Sequence, residues 1–404
     1  MNIPYFRPSI GEEEKAAVNA VLESGWLTTG QAVKRFEEAF TECLGVRHAV
    51  ALNSCTAALH LALEAAGVRQ GDTVLVPSMT FAATAEVVRY LDATPVLVDC
   101  DPDTLCVDPE AMAAAASHWC RRTSVKAMLP MHYGGQMADM FRLRKIADRY
   151  GIAMVEDAAH ALPASIRKDA NSPWQSVGTT SPLTCFSFYA NKCITTGEGG
   201  MLTTDDPELA ARVRMMSLHG LSKSAWSRFE ARGSWYYEIV EAGFKYNLTD
   251  LAGAIGFEQL KKANTFWQQR RDVASLYTEM LAPYSDFLEV PKEIRNRQSS
   301  WHLYPIKLRL DALCIDRAQF IEELKARGIT CSVHWMPLHL HPYYRERYQY
   351  KPEQLPAASA VWPRLVSLPL YPNMTEGETA YVCDSIGAVL QKYARQPELI
   401  AACA

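Results

Sequence analysis

Phe186-Ser187-Phe188-Tyr189-Ala190-Asn191-Lys192-Cys193 runs directly into Ile194-Thr195-Thr196-Gly197-Glu198-Gly199-Gly200. A short apolar strand ends here in a lysine, and a glycine-rich turn follows at once. A lysine buried as a cation is costly. One placed here either reaches solvent with its head or serves chemistry. Desolvation lowers the pKa of a lysine, and its neutral amine is a nucleophile toward carbonyls. Ser187 alternates with Phe186 and Phe188, so it faces the opposite side of the strand.

Outward from this stretch, short apolar runs alternate with helical patterns from His48 to about Thr204. Strands are expected at 49–52, 73–77, 95–98, 127–131 and 152–155. Helices are expected at 57–66, 82–91 and 137–150. Continuous apolar strands separated by helices indicate an α/β domain with a mostly parallel sheet flanked by helices. Ligands bind beyond the carboxyl ends of such strands. Those ends carry Asn53-Ser54-Cys55-Thr56, Pro77-Ser78-Met79-Thr80-Phe81, His132-Tyr133-Gly134 and Glu156-Asp157-Ala158-Ala159-His160. Residues 165–182 lack periodicity and are expected as a surface loop. Helical patterning fills 250–281. A smaller α+β unit follows, with strands expected at 301–310, 330–335 and 366–370, and helices at 317–327 and 376–393. We divide the chain into a large domain with an N-terminal arm, 1–265, and a small C-terminal domain, 266–404.

The 404 residues are 49% hydrophobic, ample for two cores, and the net charge is −4. No basic face is offered to nucleic acid, and no apolar run reaches membrane-spanning length. The eleven cysteines are an odd number and contain no Cys-x-x-Cys pair. Free thiols in a reducing compartment are expected. Met1-Asn2-Ile3-Pro4 lacks the pattern of a signal peptide. A soluble cytoplasmic protein with no nucleic-acid or membrane partner is the expectation.

The strand ends suit a flat, anionic, carbonyl-bearing cofactor. Such a group needs a lysine for a Schiff base, an anion site, a flat wall and a carboxylate for a ring nitrogen. Pyridoxal phosphate has those needs. Cys55-Thr56-Ala57 opens a helix just after a strand, where exposed N–H groups favour a phosphate; an ordinary helix cap is the alternative. Phe81 could form the wall, or simply fill the core. Asp157 could hold the ring nitrogen protonated, or serve as a helix cap or metal ligand. Ser187 could donate to the phosphate. His334, His339 and His341 lie close in sequence, but no carboxylate or cysteine completes a familiar metal-binding spacing, and no metal is expected. Gly197-Glu198-Gly199-Gly200 lacks the spacing of a dinucleotide fingerprint. Cys193 reads as small buried filler.

Taken in order, these fragments resemble the DegT/StrS family of sugar aminotransferases, members of fold type I of the pyridoxal phosphate enzymes. The likeness begins at Gly25-Trp26-Leu27-Thr28-Thr29-Gly30. It runs through Asn53-Ser54-Cys55-Thr56-Ala57-Ala58-Leu59-His60, Glu156-Asp157-Ala158-Ala159-His160 and the Lys192 segment. It resumes at Gly243-Phe244-Lys245-Tyr246-Asn247-Leu248-Thr249-Asp250 and ends near Ser367-Leu368-Pro369-Leu370-Tyr371-Pro372. The resemblance implies that Lys192 is the catalytic Schiff-base lysine and Asp157 the partner of the ring nitrogen. It implies that His160 lies near the ring oxygen and that Phe81 stacks on the ring. Cys55, Thr56, Ala57 and Ser187 would line the phosphate site. Asn247 would reach the phosphate in a neighbouring subunit, giving a homodimer with shared active sites. Trp26, Thr29, Lys245 and His334 are the implied substrate-side residues. Pro163, Ala358-Ser359 and residues 165–182 depart from the family pattern.

The implied reaction moves an amino group from an amino acid, glutamate foremost, to a nucleotide-linked keto sugar at C4. Some family members that remove a hydroxyl instead carry histidine where Lys192 stands, so the lysine points to transamination. Leu218-His219-Gly220-Leu221-Ser222-Lys223-Ser224-Ala225-Trp226, with the later 243–247 segment, is most similar to members acting on 4-keto hexoses and pentoses. A 3-keto sugar or a cyclitol ketone is the alternative substrate. A non-catalytic, cofactor-binding regulatory protein on the same fold is the alternative from another class.

Overall fold

A computed structural model describes residues 1–222 and 236–395. The large domain is built on seven strands: β1 (His48–Leu52), β2 (Thr73–Pro77), β3 (Thr94–Val98), β4 (Val125–Met128), β5 (Ala153–Asp157), β8 (Leu183–Ser187) and β9 (Gly200–Thr204), with the short β6 (Ser165–Ile166) and β7 (Gln175–Ser176) lying outside the sheet. Their order across the sheet is β1-β9-β8-β5-β4-β2-β3. Every neighbouring pair from β8 to β3 is parallel, and only β9 runs against its neighbours. The mostly parallel sheet expected from the apolar runs is therefore present.

Side-chain alternation sorts the strands into two cores. Met154 and Phe186 join one face, packed under Phe36 and Phe40 of the helix Gln31–Leu44. Val155 and Cys185 join the other, beneath the helix Cys55–Ala65. The rings of Phe40 and Phe186 lie 5.1 Å apart, edge to face. Phe36 and Phe188 lie 5.2 Å apart. Each buried phenylalanine stabilises the fold by about 1.5–3 kcal/mol. These contacts pin the strand that leads to Lys192. Asp108 and Asp206 accept the first N–H groups of the helices Pro109–Trp119 and Pro207–Met216, each with proline in the first turn.

The small core gathers Val273, Tyr277 and Leu281 with Ile306, Phe320, Val366 and Ile386. Its sheet pairs β10 (Leu288–Glu289), β12 (Tyr304–Leu308) and β13 (Leu365–Leu368). The 265/266 division falls inside the first turn of the helix Ala263–Leu281. We propose that this helix joins the domains: Ala263 and Phe266 pack into the large core, and Val273 onward into the small one.

Two expectations need correction. Residues 330–335 do not form a strand. Only Ser332 makes a bridge, to Ser367, and the chain then bends to carry His334 and Trp335 against Tyr133 and His160. Residues 165–182 are not wholly loop, because β6 and β7 pair with each other and with β11 (Arg297–Gln298). Among the described residues, no helix is long and apolar enough to cross a membrane.

Candidate active site

Beyond Ser187 the chain makes a closed loop held by its own backbone. Phe188 N–H donates to the Gly199 carbonyl, Thr196 N–H to that of Phe188, and Lys192 N–H to that of Tyr189, all at 2.9 Å. The Thr195 hydroxyl adds a bond to the Phe188 carbonyl at 3.0 Å. Lys192 is thus presented from a fixed frame. The residue is partly exposed. Burial lowers its pKa to about 8, although Cys55 and Asp157 pull the other way. Near neutral pH a useful fraction of its amine is uncharged.

Asp157, the last residue of β5, is 3% exposed. Thr84 donates to its Oδ2 at 2.8 Å, and the Ala159 amide to its Oδ1 at 3.1 Å. Thr80 and Thr84 are themselves joined at 2.6 Å. Burial raises the Asp157 pKa, outweighing those two hydrogen bonds and the nearby Lys192 charge. A cationic ring nitrogen facing it would restore the charged form. Thr84 was not read from the sequence. Its signal was the Thr80/Thr84 pair, four residues apart across the start of the helix Ala82–Tyr90.

The helix Cys55–Ala65 starts one turn from β1, with Ser54 as its cap, accepting from Ala57 N–H at 3.0 Å. Ala57, an expected phosphate contact, therefore spends its amide on Ser54. Gly200 of β9 pairs with Ser187 and lies against this helix start. A Cβ on Gly200 would fall on the Ser54 carbonyl and within 2.6 Å of the Cys55 nitrogen. Gly200→Ala is therefore expected to push the helix start away from Ser187. A loss of about 1–3 kcal/mol in stability and a weaker hold on the cofactor phosphate should appear in thermal melts and phosphate-competition titrations. Unchanged cofactor binding would contradict a phosphate site here.

His160 is 2% exposed, and its Nδ1 accepts from Gly134 N–H at 3.3 Å, leaving the proton on Nε2. Burial lowers its pKa well below the usual value, with the Lys192 charge acting in the same direction. Its ring packs on Trp335 at 5.0 Å and on His302 at 4.2 Å. Phe81 is 57% exposed, with its ring tilted against Trp335 at 6.2 Å. His334 is held through Nδ1 by Ser367 Oγ at 2.9 Å and lies stacked on Tyr5. Burial and the Lys192 charge lower its pKa to about 4. Trp335, His302 and Tyr5 had no sequence signal, because the bend at 330–335, the segment before β12 and the N-terminal arm bring them here.

Trp26, Thr29, Lys245 and Asn247 form a second group. Asn247 Nδ2 donates to Thr29 Oγ1 at 2.7 Å, and Lys245 Nζ to Asn247 Oδ1 at 2.5 Å. Trp26 Nε1 donates to the Thr29 carbonyl at 3.2 Å. The turn is fixed by Asp250, which accepts the N–H groups of Gly30, Ala32 and Val33. The group is tied to the end of β1 by the bond from Asn53 N–H to the Tyr246 carbonyl, 2.7 Å. Residues 223–226 of the segment used to narrow the sugar lie outside the described residues.

The histidines near 339 face separate partners. His339 bonds Ser78 and Ser359 through its two nitrogens at 2.6 and 2.8 Å, and His341 bonds the Met336 carbonyl. Among the described residues, no three metal-ligating side chains converge.

A nucleophilic lysine, a buried carboxylate, an exposed aromatic ring and a helix start that tolerates no Cβ beside it fit pyridoxal phosphate. Together with the sheet order, they define a fold type I pyridoxal phosphate enzyme. The family model for the DegT/DnrJ/EryC1/StrS aminotransferase family matches residues 8–387, and the chain belongs to that family. The spore coat polysaccharide biosynthesis protein SpsC of Bacillus subtilis is 40% identical over 395 residues, covering 96% of this chain and 97% of SpsC. Among solved structures, PseC of Helicobacter pylori, an aminotransferase involved in pseudoaminic acid biosynthesis, matches with a TM-score of 0.86 at 27% identity, over 97% of this chain and all of PseC. Spr1654 of Streptococcus pneumoniae, solved in PLP and PMP forms, matches at 30 and 31% identity with TM-scores of 0.87 and 0.88, over 97% of this chain and 99 and 100% of that protein. The chain is a pyridoxal phosphate-dependent sugar aminotransferase.

Proposed function

We propose that the chain moves an amino group from an amino acid, glutamate foremost, to C4 of a nucleotide-linked keto sugar. The observation that carries the amino transfer is the placement of Lys192, held in a backbone-bonded loop near Asp157 and Cys55 with its pKa lowered by burial; the C4 position, the nucleotide and the donor rest on the family resemblance. When bound, pyridoxal phosphate supplies an electron sink and a carrier for the amino group. Lys192 would hold it covalently, and its amine, when free, would carry a proton at the reacting carbons. Asp157 holds the ring nitrogen. His160, protonated on Nε2, donates toward the ring oxygen. Phe81 covers one ring face. Thr56 and Ser187 would hold the phosphate beside Cys55, while Ala57, its amide taken by Ser54, would only line the site. Trp26, Thr29, Lys245 and His334 contact the sugar nucleotide. The test is a panel of 3-keto and 4-keto sugar nucleotides, and a cyclitol ketone, offered to the amine-loaded enzyme. Reoxidation by a 4-keto compound supports the proposal; reoxidation only by a 3-keto sugar or cyclitol overturns the C4 assignment.

The proposed unit is a two-fold dimer in which Asn247 serves the neighbouring site. The support is family membership and the anchoring of Asn247 among Thr29 and Lys245. Lys192→Ala and Asn247→Asp should each be inactive alone. Aspartate opposes the phosphate by about 1 kcal/mol in water and more when partly buried. In a mixed dimer one site takes both defects and the other takes neither. With half the dimers mixed, roughly a quarter of the activity should return on unfolding and remixing. No recovery, with mixed dimers demonstrated, would place Asn247 outside its neighbour's site.

A further inference from the structure

We infer that Glu156 and His132 are positioning residues that aim Asp157, an inference that rests on the role of Asp157 proposed above. Glu156 and Asp157 are consecutive on β5 and leave it on opposite faces. Glu156 and His132 are both 0% exposed. His132 Nε2–H donates to Glu156 Oε1 at 2.7 Å, and His132 Nδ1 accepts from Ala138 N–H at 3.1 Å. The proton is therefore fixed on Nε2. Glu156 Oε2 accepts from Ser181, Thr180 and Thr184 at 2.9, 3.0 and 3.2 Å. Burial alone would raise the Glu156 pKa, but the bonds from His132, Ser181 and Thr180 outweigh it and hold the carboxyl below its ordinary range.

This network reaches Asp157 through the backbone. His132 N–H donates to the Asp157 carbonyl at 3.2 Å, and Asp157 N–H donates to the Pro130 carbonyl at 2.9 Å. Residues 130–132 thus grip Asp157 on both sides, as a continuation of the β4–β5 pairing. The position of 132 in turn depends on Glu156, because the His132 ring is anchored there. A buried hydrogen-bonded polar pair is weak evidence for stability, since apolar residues of similar volume often serve as well. Orientation is what a group facing a reacting ring requires, to within about 0.5 Å. No step of the reaction uses Glu156 directly.

The test is a double-mutant cycle between Glu156→Leu and Asp157→Asn. Two quantities are read: the Kd of pyridoxal phosphate for the cofactor-free protein, and kcat with KM for the amino acid. Glu156→Leu should weaken cofactor binding no more than Asp157→Asn does, and lower kcat by about tenfold to a hundredfold, the range known for residues that orient a direct ligand. The amino-acid KM should move less than about twofold, and Glu156→Gln, which keeps an acceptor for His132, should recover most of the loss. On the Asp157→Asn background the Glu156→Leu loss should shrink to under about twofold, because coupled residues are not additive. Equal losses in both backgrounds, or no loss from Glu156→Leu where Asp157→Asn is crippled, would overturn the inference and leave the role of Asp157 standing. A harmless Asp157→Asn would overturn both. If Glu156→Leu does not fold, Thr180→Val with Ser181→Ala strips donors from the same carboxylate and runs the same cycle.

Discussion

Replacing Lys192 by alanine is expected to lower turnover by at least about 10⁴-fold while leaving the fold intact. The loss combines the covalent carrier with positioned proton transfer, which alone is worth about 10²–10⁴. The loop from Tyr189 to Gly199 is held by backbone bonds that the substitution does not touch. Lys192→Arg should fail equally, because a guanidinium stays protonated and cannot form the imine. The wild-type amine carries its own pH signature. Its pKa is lowered to about 8 by burial. Only the neutral amine attacks a carbonyl, so capture of pyridoxal phosphate by the cofactor-free protein should speed up with rising pH, with a midpoint near 8, and then level off. An exposed lysine would show that midpoint more than two units higher, near about 10.4. Stopped-flow absorbance reads the rate, and a midpoint near that of a free lysine would contradict a desolvated nucleophile.

Asp157→Asn is expected to keep the protein folded and able to bind the cofactor, yet to lower kcat by about 10²–10³, the cost of removing one preorganised electrostatic contact at a reacting centre. Asparagine offers a carbonyl to Thr84, so the Thr80–Thr84 chain keeps an acceptor. What is lost is the negative charge that favours a protonated ring nitrogen. Turnover within about threefold of wild type would mean that another group partners that nitrogen.

The sheet was legible because its strands are continuous apolar runs, which only a doubly covered parallel sheet can bury. The strand-end motifs were legible for a related reason: lysine, aspartate and a Ser/Thr helix start are costly or conspicuous where apolar strands stop. What the sequence hid depends on tertiary placement. Thr330 to Trp335 has strand-like composition, yet Ser332 pairs for a single residue before His334 and Trp335 turn toward His160. The helix Pro109–Trp119 is a run of alanines with little hydrophobic periodicity, so its Asp108 cap and Pro109 were its clearest marks. Glu156 was quoted as part of a motif but given no task. Its partners Thr180, Ser181 and Thr184 lie in and beside a segment that reads as loop. Thr84 and Tyr5 enter the neighbourhood of Asp157 and His334 from a helix and an arm distant in sequence.

The covalent link at Lys192 is read most directly by borohydride reduction of the yellow holoprotein, followed by peptide mapping. The reduced cofactor should be found on the peptide that contains Lys192 and nowhere else. Label on any other lysine, or a yellow protein that takes no label, would contradict the assignment of Lys192 and the mechanism built on it.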